Sequence, residues 1–224
     1  ESNIKALKEE IQKARNLSKG IIGVNIMVAL TNYEDMVKTA IECEADIIIS
    51  GAGLPLSLPQ YKPASSKTKL VPIVSSARAA KLIFKRWIDK FNYVPDAVVV
   101  EGPESGGHQG VKLENLTSEE FSLETLIPEV LETVKIFEEK TNRKIPVIAA
   151  GGIYTGADIL KFMKMGASGV QMGTRFITTD ECDASLNFKN AFLKCDEKKD
   201  IIVIQSPVGL PLRVMKNSFV DKAL

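Results

Sequence analysis

Residues 101 to 110, EGPESGGHQG, hold the only histidine of the chain among four glycines. An imidazole can act near neutral pH as a base in its neutral form and as an acid once protonated. Glycines on either side keep bulky side chains away from it, so the pattern points to proton transfer at an accessible position. Glu101 and Glu104 flank the same loop. Two such carboxyls could form an acid/base pair, or lie solvated in a turn. Ser105, three residues before His108, raises the idea of a Ser-His hydrolase, but no G-x-S-x-G elbow accompanies it. A zinc site is disfavoured as well: it takes three or four protein ligands, and the chain offers no second histidine and no cysteine nearby.

The second stretch that could do chemistry is AAGGIYTGADILKFMKMGASGVQMGTRF, residues 149 to 176. An apolar strand ends in Gly151-Gly152, a helix carrying Asp158 follows, and a second apolar strand leads to Gln171-Met172-Gly173-Thr174. Glycines at the ends of two successive strands put backbone N–H groups side by side with no Cβ in the way, which makes a cradle for an anion. TIM barrels bind phosphate in the loops after their last two strands. The absence of G-x-G-x-x-G after any strand disfavours a Rossmann dinucleotide site.

These residues need a scaffold, and the chain alternates two kinds of segment. IIGVNIMV (21–28), ADIIIS (45–50), KLVPIVS (69–75), DAVVVEG (96–102), IPVIAAGG (145–152) and GVQMGTRF (169–176) are short apolar runs bounded by glycine or proline. Such runs are expected of strands buried on both faces of a parallel sheet. Between them, helical spacing of apolar residues predicts helices over 33–44, 77–89, 123–141 and 155–165, with others over 1–17 and 184–194. Strand and helix in alternation mean right-handed βαβ units within a single domain spanning 1–224. Residues 62–69 and 112–122 read as surface loops. A barrel closes with eight strands, whereas six would suffice for an open sheet.

Composition narrows the function. The chain has 224 residues, with 29 basic and 28 acidic residues interspersed to give a net charge of +1. That balance disfavours nucleic acid and anionic membrane as partners. No apolar run approaches the roughly 18 residues of a membrane helix. Cys43, Cys182 and Cys195 are widely spaced and form no C-x-x-C pair, which suits a reducing, cytoplasmic setting.

The string from Ile145 to Phe176, with EGPESGGHQG and the strand around Asn25, resembles the nitronate monooxygenase family, also called 2-nitropropane dioxygenases, which is related to the flavin-dependent enoyl-acyl-carrier-protein reductases. The resemblance covers nearly the whole chain. It implies an FMN-bearing TIM (β/α)8 barrel whose first two strands, with a glycine- and methionine-rich flavin loop, are lacking here, and a C-terminal part that stops shortly after RVMKNSF (213–219). The expectation is a fragment of such an enzyme. The phosphate of FMN would be held by Gly151, Gly152, Gly173 and Thr174, with Gln171 and Met172 completing that segment. Asn25 would bond the isoalloxazine edge, and Glu101 and Gly106 would line the flavin. Many relatives carry glutamine in place of Glu101.

On this reading His108, on a glycine loop that swings over the ring, removes the proton α to a nitro group. The nitronate so formed is then oxidised by FMN and oxygen. An NAD(P)H-dependent enoyl thioester reductase shares every one of these motifs, and a flavin-binding barrel without catalysis is a third reading. The implied partners are a small-molecule substrate and oxygen, with room for a homodimer. Of the remaining residues, Ser75 and Ser76 suit either flavin contact or helix capping, and Trp87 suits packing in the outer ring. Arg175 could assist an anion or pair with an acid. Met163, Met165 and Met172 suit core packing, and SPVGLP (206–211) suits a turn covering the flavin.

Overall fold

The computed structural model describes residues 2–111, 113–116, 118–206 and 209–223. Lys112 and Thr117 of the expected loop, and Pro207 and Val208 of the SPVGLP turn, lie outside the described residues.

In chain order the elements are α1 (Ser2–Leu17), β1 (Gly23–Met27), α2 (Tyr33–Glu42), β2 (Ile47–Gly51), β3 (Lys69–Val74), α3 (Ala77–Phe91), β4 (Val98–Glu101) and β5 (Gly107–His108). There follow α4 (Leu123–Thr141), β6 (Val147–Ala150), α5 (Gly156–Lys164), β7 (Gly169–Gln171), α6 (Thr174–Ile177), α7 (Leu186–Lys194), α8 (Glu197–Asp200), β8 (Ile201–Gln205), β9 (Pro211–Met215) and α9 (Val220–Ala223). Six strands form one parallel sheet in the order β1-β2-β3-β4-β6-β7. Spatial order equals chain order. A doubly wound sheet reverses direction at a switch point, so this succession is that of a barrel with six of its strands present.

Strand alternation divides the sheet into two faces. Ile26, Ile48, Leu70, Val74, Val98, Val100, Val147 and Ala149 point outward and are buried beneath the helices. The helices answer with matching stripes. In α3, Ala80, Ile83, Phe84 and Trp87 are buried, and in α4 the buried set is Leu123, Leu126, Ile127, Val130, Val134 and Phe137. Both stripes follow the i, i+3, i+4, i+7 spacing of one helix face. Ser76 caps α3 by accepting from Ala79 N at 3.1 Å, and Ser122 caps α4. On the other face, Val71, Ile73, Val99 and Ala150 form a separate apolar cluster bordered by Ile47, Ile49, Ala97 and Ile148. This is the face that lines a barrel interior.

Two expectations need correction. The run 169–176 is not one strand: β7 ends at Gln171 and α6 begins at Thr174. Its partner β6 stops at Ala150, opposite Gln171, because Gly151 and Gly152 turn away with φ of +104° and +68°. The segment after α7, for which no strand was expected, forms the hairpin β8–β9, and β5 joins it to make a three-stranded antiparallel sheet.

Candidate active site

Register carries three polar residues onto the inner face. Asn25 lies opposite Ile49, Glu101 opposite Ala150, and Ala150 opposite Gln171. Glu101 follows Val99 by two residues, so its side chain shares that residue's inner face. Asn25 is exposed, while Glu101 and Gln171 are half-buried. Glu101 and Gln171 are the last residues of their parallel strands, the end where barrel enzymes keep their chemistry, whereas Asn25, expected at the end of its strand, is the middle residue of β1. Burial alone pushes the Glu101 carboxyl up to about 7.

The loop leaving Glu101 is anchored rather than free to swing. Gly102 N donates to Ala150 O at 2.9 Å, and Ser105 N to Gly102 O at 3.1 Å. Arg213 Nη1 donates to Glu104 O at 3.2 Å. His108 lies in β5, opposite Leu212 of β9, and Gln109 N donates to Pro211 O at 2.7 Å. The Gln109 amide also donates to the Ser105 carbonyl. Gly110 packs on Ser75 at the end of β3: a Cβ there would stand 2.0 Å from Ser75 Oγ. The expectation of a loose loop gives way to a strap that fixes the backbone of the imidazole, while the ring itself remains partly exposed.

The glycine pair after β6 lies beneath this strap. A Cβ on Gly151 would meet Ser105 Oγ at 2.7 Å, Ser105 N at 3.0 Å and Gly102 O at 3.2 Å. A Cβ on Gly152 would stand 1.8 Å from Glu104 Oε2. A carboxylate oxygen thus already comes up against the backbone at Gly152, in space a side chain would fill. Ser105 Oγ is buried and finds no hydrogen-bond partner among the described residues. Gly173 and Thr174 are exposed, and nothing lies within 4 Å of a Cβ built on Gly173 or on Gly106. Gly173 offers open, side-chain-free backbone suited to the phosphate expected there, whereas the space over Gly151 and Gly152 is taken by Ser105, Gly102 and the Glu104 carboxylate, which must move aside before an anion can reach Gly152. Met172 packs its side chain on the core.

Other residues settle into structural places. Trp87 is fully buried and donates from Nε1 to Pro55 O at 2.8 Å. Ser76 caps its helix. Arg175 stacks on the Tyr154 ring, 4.8 Å from its centroid. Met165 packs on the core, but Met163 is 49% exposed, against expectation. Asp158 completes a capping box with Thr155, whose backbone N–H holds the Asp158 carboxyl below its ordinary value. Gln109 and Arg213 went unnoticed because they act through a hairpin that only the fold brings to the loop. The runs IIVIQ and PLRVM around a proline and a glycine were the signal that could have shown it.

A sequence model described as nitronate monooxygenase matches residues 2–223. A "probable nitronate monooxygenase" of Staphylococcus saprophyticus is 29% identical over 213 residues, covering 94% of this chain and 54% of its own length. The (3aS,4S,5R,7aS)-5-hydroxy-7a-methyl-1-oxo-octahydro-1H-indene-4-carboxyl-CoA dehydrogenase of Rhodococcus jostii is 29% identical over 215 residues, covering 96% of this chain and 53% of its own. The chain therefore spans about half the length of these relatives. Among solved structures, FabK from Thermotoga maritima superimposes with a TM-score of 0.77 at 30% identity, over 98% of this chain and 62% of that one. Nitroalkane oxidase from Streptomyces ansochromogenes gives 0.77 at 22% identity, over 98% and 68%, a likeness of fold.

Proposed function

This chain belongs to the nitronate monooxygenase family, and we propose that it forms the FMN-holding part of an enzyme that oxidises alkyl nitronates and nitroalkanes with oxygen. The observation that supports this is the placing of Asn25, Glu101 and Gln171 on one inner face, with the glycine turn Gly151-Gly152 following β6 at the strand ends that carry Glu101 and Gln171. Asn25, Glu101 and Gly106 would line the flavin ring, and Gln171 would complete the segment that holds its phosphate. Gly151, Gly152, Gly173, Thr174 and the backbone of Met172 would hold its phosphate. Once bound, the flavin supplies the electron-transfer chemistry with substrate and oxygen.

The proton step falls to His108. Its backbone is fixed between β4 and β9, as a general base requires. The imidazole takes the proton from the carbon bearing the nitro group, leaving a nitronate and an imidazolium. A substrate supplied as nitronate has already lost that proton. His108→Asn is therefore expected to lower nitroalkane turnover by about 10²–10⁴-fold and to change nitronate turnover by only a few-fold. Equal activity of both proteins on the nitroalkane would remove His108 from the reaction. We place the protein in the cytoplasm, acting on a small molecule. Among the described residues no helix is long and apolar enough to cross a membrane.

A second reading, an oxidoreductase acting on a thioester with NAD(P)H, draws support from the Rhodococcus relative named as a carboxyl-CoA dehydrogenase. Anaerobic mixing of the yellow protein with ethylnitronate, and separately with NADPH, decides between them. Bleaching by nitronate alone favours the monooxygenase, and bleaching by NADPH alone favours the thioester enzyme.

A further inference from the structure

Glu101 is out of keeping with its surroundings. Its carboxyl shares the inner face with Val99 of its own strand and Ala150 of β6, beside the cluster that also contains Ile73 and Val71 of β3. Among the described residues no hydrogen bond or ion pair reaches it. Charged groups on the packed elements are engaged elsewhere or lie away from it. Lys69, the one charged residue of β3, stands at the opposite end of its strand and pairs with Asp96 at 3.1 Å. β6 and β7 contribute no titratable side chain. α4 packs on the outer face. In the loop, the carboxylate of Glu104 lies against Gly152, and the backbone of His108 pairs with Leu212 of β9. Desolvation is accordingly the one cause of the raised proton affinity at Glu101.

A planar heteroaromatic ring laid on this face would take away the water that still reaches the carboxyl. Most polar atoms on the edge of the FMN ring, its two carbonyl oxygens and two unprotonated ring nitrogens, accept hydrogen bonds, and one ring N–H donates. A carboxylate offers no donor to such an edge and cannot stay charged cheaply without water. A neutral carboxyl donates one hydrogen bond and remains in place. We propose that Glu101 couples occupancy of the inner face to proton uptake, so that FMN binds with this carboxyl protonated and the chain gains a proton when FMN arrives above neutral pH. The proposal rests on the FMN reading given above and adds a property of this chain's own residue. Glutamine at the same position is neutral, similar in shape and able to donate, so it would hold the ring with no proton exchanged.

The test is FMN titration of the 224-residue chain and of Glu101→Gln from pH 7.5 to 9, where a phosphomonoester is already dianionic. Calorimetry in two buffers of different ionisation enthalpy counts the protons taken up. For the parent chain, the affinity should fall on the order of tenfold per pH unit and about one proton should enter per FMN at pH 8.5. Glu101→Gln should lack that slope and that proton. Equal slopes in the two proteins would overturn the coupling while leaving FMN binding intact. Failure of both proteins to bind FMN at any pH would overturn the FMN reading itself. The carboxyl can also be followed directly in the free chain through its carbon-13 shift, and a midpoint below about 5, in the ordinary range for glutamate, would overturn the proposal without reference to ligand.

Discussion

Glu101 links the site to the stability of the chain. Its carboxyl has an ordinary value of 4.5 and is pushed up to about 7 by burial in the fold. Between these two values the folded chain holds a proton that the unfolded chain has released. Stability from this group is therefore complete below about 4.5 and lost as pH rises to about 7, above which the fold keeps a desolvated charge. Glu101→Gln removes the titration. It should leave urea stability nearly unchanged at pH 5 and raise it at pH 8, by at most about 3 kcal/mol. Parallel pH profiles for the two proteins would show that the carboxyl is better solvated than its place on the inner face implies. Its presence near the site was legible from the EGPESGGHQG string. Its burial was not, because two acids in a glycine loop look solvated until strand register turns one of them inward. Glu104, the other acid, is exposed.

At the scale of elements, the site depends on two loops meeting: the strap from β4 to β5 and the turn after β6. Their contact has no room for a side chain at Gly151. A Cβ there would press on the backbone N of Ser105 and the carbonyl of Gly102, and φ of +104° is foreign to other residues. Gly151→Ala should therefore cost more than the roughly 1–2 kcal/mol of backbone strain alone, lowering the melting temperature by several degrees. At Gly173 no such contact exists and φ is −114°. Gly173→Ala should melt within a degree or two of the parent while weakening FMN binding. A Gly151→Ala protein as stable as the parent would mean that the strap lifts away from the turn. The glycine pair stood out in the sequence because two strand ends carried it in succession. The strap's other anchor did not, since β9 lies more than a hundred residues from His108, and an isolated hairpin gives no sign of the loop it will join.

On the scale of the whole molecule, the parallel succession of six strands was legible from the apolar runs and their alternation with helical segments, because strands covered on both faces read as unbroken apolar runs. The barrel class came from the resemblance and is matched by chain-order pairing of the strands. One consequence of that architecture could not be read from the runs: the outer face is sealed by helices, while the rim of the inner face is only partly covered. Ile47, Ile49 and Ile148 are half-buried there, and β1 and β7 pair on one side only among the described residues. Parallel sheets are found almost always with both faces covered, and unpaired edges invite association. The 224-residue chain should therefore self-associate at micromolar concentration, as a homodimer or larger, through this face. Ile49→Lys places a charge on the rim without touching the helix-packed core and should shift sedimentation towards the monomer with little change in circular dichroism. Partial saturation with FMN should act in the same direction if ring and partner compete for the same apolar surface. A parent chain that sediments as a monomer throughout would show that the inner rim is adequately covered by its own curvature, and association would then have to be sought on α7, where Leu186 and Leu193 are exposed.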